Sequence, residues 1–288
     1  MDFRPLEITD KEIFEKYAKM NLNCDDSFAM IWLENFNKTT EICVLDNIII
    51  LRTRRGEKII YYPPLTEDTK LIQEAIDLIL KHEAQYERPF VICGLVAEQI
   101  ALLPSDTYNI VHDLDAQDYI YSVSDLTNLA GGKYHSKRNF ITRFEKSYNY
   151  SFRPYKEEDR ETLIELFKKW EVDAVGNYWE EEKPMFNQAL DYWRELDLKI
   201  GLLFVDKTLV AFSINHVTKD MALTLVEKAD TSYIGAYQMI NRETASAFFQ
   251  TVKFINRQDD MGIEGLRKSK LSYHPIQLTE KYNILGHK

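Results

Sequence analysis

Two periods alternate along the chain. Apolar residues recurring every three or four positions predict helices, and β-branched or aromatic runs broken by turn residues predict strands. In the first half, expected helices near Asp10–Met20 and Asp25–Phe36 precede strands near Glu41–Leu45, Asn47–Arg52 and Lys58–Tyr62, with Asp46-Asn47 and Arg55-Gly56 as the intervening turns. A helix near Thr66–Ala84 follows, with Leu71, Ala75, Leu78 and Ile79 in register. Then come a strand near Phe90–Cys93, a helix around Val96–Leu103, and two strands near Tyr108–Val111 and Asp118–Val123. The second half predicts helices near Glu158–Val175 and Glu181–Leu196 and strands near Lys199–Val205, Lys207–His216 and Met221–Val226. A helix near Gly235–Thr251, a strand at Val252–Ile255 and a helix near Asp260–Lys270 complete it.

The two halves spell one order, and a short repeat marks where each begins. FRPLEITDKE at Phe3–Glu12 aligns without gaps on FRPYKEEDRE at Phe152–Glu161, sharing the Phe, Arg, Pro, Asp and Glu positions. Each copy reads as a short strand stopped near its proline, a polar turn with an aspartate suited to capping, and an amphipathic helix. The order of strand, two helices, three meandering strands, helix, strand, helix and closing strands resembles the GNAT acyltransferase fold written twice. That resemblance implies an α/β (α+β) protein of two tandem GNAT-like domains, each a mixed, mostly antiparallel sheet packed with helices. The expected division is a first domain over residues 1–130, a basic connecting helix over 131–149, and a second domain over 150–288 carrying the active site.

The connecting stretch GGKYHSKRNFITRF, Gly131–Phe144, contrasts with the chain around it. Two glycines disfavour a helix interior, and the residues after them, up to about Tyr148, place Tyr134, Ile141, Phe144 and Tyr148 on one side of a helical wheel. Lys137 falls inside that apolar stripe, with Lys133 one turn before it and Arg138, Arg143 and Lys146 pointing elsewhere. Two readings stand. Either Lys137 lays its methylene stem along the core and lifts its ammonium into water, or Lys133 and Lys137 present two cations to an anionic group of a substrate.

Composition narrows the classes of function. At 288 residues the chain is long enough for two ordinary cores. It is 45% hydrophobic and 28% charged, without low-complexity tracts, as in a soluble globular protein. A net charge of -10 argues against loose, charge-driven binding to nucleic acid, which needs a basic surface, while allowing a local basic site. The first residues carry charges throughout and form no secretory signal, and the longest aliphatic run, Ile48–Leu51, is far short of a membrane span. Cys24, Cys43 and Cys93 form neither a disulfide framework nor a zinc pattern, and the six histidines are scattered, so no metal site is expected and a reducing cytoplasm fits best. Nothing in the sequence sets the oligomeric state.

Three stretches of the second half carry more polar detail than a fold requires. In LVEKAD an apolar strand ends at Glu227 and Lys228; the carboxylate would accept a proton from an attacking amine or hydroxyl, or form a surface ion pair with its neighbour. In GAYQMINR a helix opens at Gly235, where a GNAT enzyme offers backbone N–H groups to the pyrophosphate of acyl-CoA, but the leading basic residue and second spaced glycine are missing. In FINRQDDMGIEGLRKSKLSYHP a strand ends at Asn256 and Arg257, and Asp259 or Asp260 caps the next helix. On that helix Gly262 and Gly265 would leave a bare patch at a cost of about 1 kcal/mol each. Arg267, Lys268 and Lys270 suit its last turn.

Together GGKYHSKRNFITRF, EKAD, GAYQMINRE and FINRQDDMGIEGLRKSKLSYHP resemble a bacterial family related to the C-terminal domain of phosphatidylglycerol lysyltransferases, over nearly the whole chain. The resemblance implies a tandem GNAT architecture of the Fem peptidyltransferase type and transfer of an activated acyl or aminoacyl group to an amine or hydroxyl. Aminoacyl-tRNA, met through its 3' end, is the implied donor, and acyl-CoA the alternative. The acceptor would be a small molecule, a peptide or a lipid head-group, the last reached by peripheral membrane contact. The expected catalytic residues are Glu227 for the proton path, Tyr273 as an alternative acid, and Asn256, which together with Arg257 of the substrate-binding set would polarise the carbonyl or hold the acceptor. Lys133, Lys137, Arg138 and Asn139 would hold the donor's phosphates, with Lys228, Asn241, Arg242, Asp260, Gly262 and Arg267 completing the substrate-binding set. A binding protein that has kept the cleft without catalysis is the remaining alternative.

Overall fold

A computed structural model describes residues 1–17, 22–171 and 178–286. In chain order its elements are β1 (Arg4–Pro5), α1 (Lys11–Tyr17), α2 (Phe28–Glu34), β2 (Glu41–Leu45), β3 (Ile48–Arg55), β4 (Lys58–Tyr61), α3 (Leu71–Glu83), β5 (Phe90–Val96), α4 (Ala97–Ile100) and β6 (Ile110–Ser122). They continue with α5 (Val123–Asn128), α6 (His135–Ser147), β7 (Tyr150–Pro154), α7 (Arg160–Lys168), α8 (Tyr178–Asp191), β8 (Leu198–Val205), β9 (Thr208–Val217) and β10 (Met221–Ala229). The last are α9 (Ala236–Phe248), β11 (Phe254–Asn256), α10 (Glu264–Leu271) and β12 (Gln277–Leu285). The expected helical residues at 18–20 and 172–175 lie outside the described residues.

The chain forms two compact units. The first comprises Met1–Asp118, Asp259–Ile263 and Leu278–Lys288, and the second Tyr119–Gln258 and Glu264–Gln277. In the first, β1, β2, β3 and β4 are successively antiparallel, β4 and β5 are parallel, and β5 and β12 antiparallel. In the second, β7, β8, β9 and β10 are successively antiparallel, β10 and β11 parallel, and β11 and β6 antiparallel. The pairing pattern is the same in both, as the GNAT-like repeat predicts.

The units divide elsewhere than at residues 130 and 150. The last strand of the chain closes the first sheet, and the end of β6 closes the second, so each unit takes its closing strand out of sequence order. What reads as two strands near Tyr108–Val111 and Asp118–Val123 is the single strand β6, followed by α5. Nor is α6 a free connector. Tyr134, just before it, and Ile141 and Phe144 within it are buried in one cluster with Leu203, Val210, Met239 and Ile240, which makes α6 a packed layer of the second unit.

Local chemistry explains the frames of both sheets. Ile48, Ile49, Ile50 and Leu51 are all buried, as expected of an inner strand covered on both faces. In α3 the buried stripe is Ile72, Ala75, Ile76 and Ile79, with Leu71 and Leu78 at its edge. The repeat itself has a physical cause. Arg4 grips Asp10 with two hydrogen bonds of 2.8 and 2.5 Å while the Glu7 amide donates to Asp10 at 2.9 Å. Arg153 grips Asp159 with two of 2.6 Å while the Lys156 amide donates to Asp159 at 2.9 Å. In each copy a bidentate arginine locks the turn between the first strand and the first helix.

Candidate active site

The polar centre of the second unit lies where β10 and β11 part. Their parallel pairing covers only Met221–Leu223 against Phe254–Asn256. Beyond it β10 is irregular between Thr224 and Val226, and the Gln258 side-chain amide donates to the Thr224 and Leu225 carbonyls at 2.7 and 3.0 Å, filling the place a strand partner would take. The fully buried Asn256 side chain accepts the Gln258 amide at 2.7 Å and so shapes this turn. Lys270 holds the same turn from α10, donating to the Arg257 and Gln258 carbonyls at 2.6 and 3.1 Å.

That construction aims Arg257 at Glu227. The guanidinium lies 2.8 Å from the carboxylate, and the two side chains are 16% and 7% exposed. Burial pushes the Glu227 carboxyl above the ordinary carboxylate range; Arg257 and the Asn241 amide pull it back without cancelling the shift. Arg257 also faces the rings of Tyr121 and Tyr273, at 5.9 and 5.3 Å from their centroids.

Lys137 enters from α6. Its ammonium donates to the Ser272 hydroxyl at 2.7 Å and stands 3.9 Å from the centre of the Tyr273 ring. Half-buried, it forms no ion pair with a carboxylate among the described residues. Burial, then repulsion from Arg257, brings it down to about 8. Tyr273 is buried, and burial raises its phenol above the ordinary value, which suits it as a ring to pack on rather than as an ionised group.

The other expected residues are placed separately. Lys133 is exposed and paired with Asp125 at 3.0 Å, so the two lysines of the basic segment do not act as a pair of open cations. Arg138 donates to the Leu129 and Gly131 carbonyls, tying down the chain after α5, and Asn139 is exposed beside His135. Lys228 pairs with Glu182 at 2.7 Å rather than with Glu227. Arg242 pairs with Glu145 and Glu243, and Asn241 is buried on α9 near the site with its carbonyl oxygen unpartnered. Asp260 and Gly262 belong to the first unit; Asp260 accepts the Gly262 amide at 3.0 Å in a turn before α10. Gly262 is therefore no part of a bare helix patch: it has φ +71° and lies against Asp115, while Gly265 alone is in the helix and faces open space. Arg267 lies in the middle of α10.

Gly235 has its own explanation. Its φ is +96°, and a β-carbon there would stand 2.5 Å from the Phe140 carbonyl oxygen, so the turn into α9 needs glycine because α6 crosses it closely. Tyr121, Lys270 and Ser272 are members of the site that sequence reasoning missed; the strand and helix periods assign them no face near Glu227, and only the fold brings them there.

The family model described as phosphatidylglycerol lysyltransferase, C-terminal, matches residues 19–285. The chain belongs to that family. A conserved protein of unknown function from Bacteroides thetaiotaomicron is 30% identical, with both chains covered in full and a TM-score of 0.91. L-PGS from Bacillus licheniformis is 16% identical over 96% of this chain and 92% of its own, with a TM-score of 0.68, and FemX is 11% identical over 98% and 97%, with a TM-score of 0.63; both share the fold. An uncharacterised protein of Mycoplasmoides gallisepticum is 23% identical over 61% of this chain, a match that spans 58% of that protein's length.

Proposed function

We propose that this member of the lysyltransferase C-terminal family moves an activated acyl or aminoacyl group from an ester donor of the aminoacyl-tRNA kind to an amine or hydroxyl acceptor, using the second unit. The observation that carries this reading is the Glu227–Arg257 pair, buried beyond the point where β10 and β11 part and beside a lysine with no carboxylate counter-ion among the described residues. Arg257, oriented by Glu227, stabilises the oxyanion that develops on the ester carbonyl. Tyr273 and Tyr121, buried beneath the pair, back the Arg257 guanidinium with their rings and keep it in place. Asn241, whose carbonyl oxygen is buried without a partner, takes a donor hydrogen from the acceptor. The acceptor is a small molecule, a peptide amine or a lipid head-group; among the described residues no helix is long and apolar enough to cross a membrane. The helix N-terminus at Gly235 has a packing reason for its glycine, which leaves the acyl-CoA alternative without support from that motif.

The test is transfer from a short RNA stem carrying a labelled aminoacyl ester to a panel of amine and hydroxyl acceptors, run beside acetyl-CoA and longer acyl-CoAs. Label should move from the RNA ester and fall about 100-fold or more in Arg257→Ala. Transfer from CoA thioesters alone would replace the donor named here, and no transfer from any donor would overturn the reading.

A further inference from the structure

The reaction needs a group to take the proton of the attacking amine or hydroxyl, and Glu227, the residue its sequence position suggests, is badly placed for it. Its carboxylate already holds Arg257 at 2.8 Å and is 7% exposed. Protonating it would leave the Arg257 guanidinium buried without its counter-charge, the situation in which broken ion pairs are most unfavourable. Glu227 is a positioning residue for Arg257.

We infer that Lys137, as the neutral amine, is the proton acceptor of the transfer. The inference rests on the reading just given and deepens it. Ser272 fixes the direction of the contact. Its hydroxyl donates to the Ser269 carbonyl at 2.5 Å, so toward Lys137 it accepts. A neutral Lys137 therefore turns an N–H to Ser272 and keeps its lone pair for an incoming group. The surroundings suit both protonation states. Burial and the neighbouring Arg257 disfavour a permanent ammonium, while the Tyr273 ring at 3.9 Å and the Ser272 oxygen receive the charge once a proton arrives. No carboxylate faces the amine among the described residues: Glu227 is engaged by Arg257, and Asp125 by Lys133 and the Tyr134 hydroxyl. Tyr121 and Tyr273 approach Arg257 and Lys137 as rings, Lys270 is taken up by the Arg257 and Gln258 carbonyls, and His274 packs on Tyr134 with its Nε2 at the Lys133 carbonyl.

The step balances. The acceptor's nitrogen or oxygen forms a bond to the ester carbonyl carbon as its proton passes to the Lys137 Nζ. The ester C–O bond then breaks, and the same proton goes to the departing hydroxyl oxygen. Lys137 ends neutral, and one acyl group has changed partner.

The experiment measures transfer as a function of pH in the full chain, for wild type, Lys137→Arg and Lys137→Ala. Wild-type kcat/KM should rise about tenfold per pH unit and level off near pH 8. Lys137→Arg, which keeps the positive charge and cannot act as a base near neutral pH, should lose about 100-fold or more. Lys137→Ala should lose as much and recover in part when ethylamine is added, a rescue that a merely structural lysine would not show. Wild-type transfer with an Arg variant that retains activity, or with an Ala variant that amines never restore, overturns the inference and leaves the transferase reading standing. Absence of wild-type transfer overturns that reading instead, and the inference with it.

Discussion

Each unit draws a lysine out of open solvent, Lys281 fully and Lys137 by half, and the two are treated in opposite ways. In the first unit Lys281 on β12 is 2% exposed and held by Asp25 at 2.9 Å, Asp118 at 3.0 Å and the Cys24 sulfur at 3.3 Å. Those partners outweigh burial and keep its ammonium well above the ordinary range. In the second unit Lys137 has a serine hydroxyl, an aromatic ring and a neighbouring guanidinium, and is drawn down to about 8. A buried cation with two carboxylates has its charge answered inside the fold and acts as a clasp between β12, β6 and the turn at Cys24. One left beside a like charge has only a hydroxyl and an aromatic ring to answer it. That contrast makes the first cluster structural and is the reason the proposed chemistry is sought at the second.

The largest expected effect comes from breaking the clasp. Lys281→Met leaves Asp25 and the fully buried Asp118 without their cation, and removing one partner of a buried ionic cluster costs about 3–5 kcal/mol. At roughly 2–4 °C per kcal/mol for a protein of this size class, the melting temperature should fall by about 10 °C. Adding Asp118→Asn, which withdraws one stranded carboxylate, should return part of that loss. A drop under about 2 °C for the single variant would mean that Lys281 does not hold the first unit together.

Gly235→Ala should come next. Alanine resists φ +96°, and its β-carbon would meet the Phe140 carbonyl at 2.5 Å, so α6 must withdraw from α9. A loss of about 1–3 kcal/mol is expected, read by thermal or urea melting. If the variant melts like wild type, α6 does not press on this turn, and the glycine is open again to the anion-binding explanation.

How much of this was legible in the sequence follows from the range of each interaction. The FRP repeat was visible because the Arg4–Asp10 and Arg153–Asp159 locks span six residues in each copy. The stripe of Tyr134, Ile141 and Phe144 was visible because helical periodicity is local, although the partner it packs on was not. Glu227 and Arg257 were both singled out, but not as a pair, since 30 residues separate them and strand ends do not reveal their neighbours. Lys133 and Lys137 looked alike on one helical face; Asp125 and Ser272, from two other segments, give them different fates. Least visible was the Lys281 clasp. Its members lie 94 and 257 positions away from Cys24, and the exchange of closing strands that brings β12 to β5 leaves no trace in the order of elements.

The smallest shift in stability, and the sharpest test of the contrast, is expected from Lys137→Met. Methionine keeps the stem against Tyr273 and gives up a charge that has no counter-ion, so at pH 7 the variant should match wild type within about 1 kcal/mol. The pH dependence carries a definite sign. Folding lowers this group from its ordinary 10.5 to about 8, so between those values the unfolded chain holds a proton that the folded chain has released. Stability contributed by Lys137 therefore rises with pH across that window and is lost as pH falls through about 8. Relative to wild type, Lys137→Met should lose ground steadily from pH 8 to pH 10 in paired thermal melts, with part of the full effect screened because the lysine is half-exposed. A variant as unstable as Lys281→Met, with an offset from wild type that does not change with pH, would place both lysines in one structural class and remove the physical basis for locating the chemistry in the second unit.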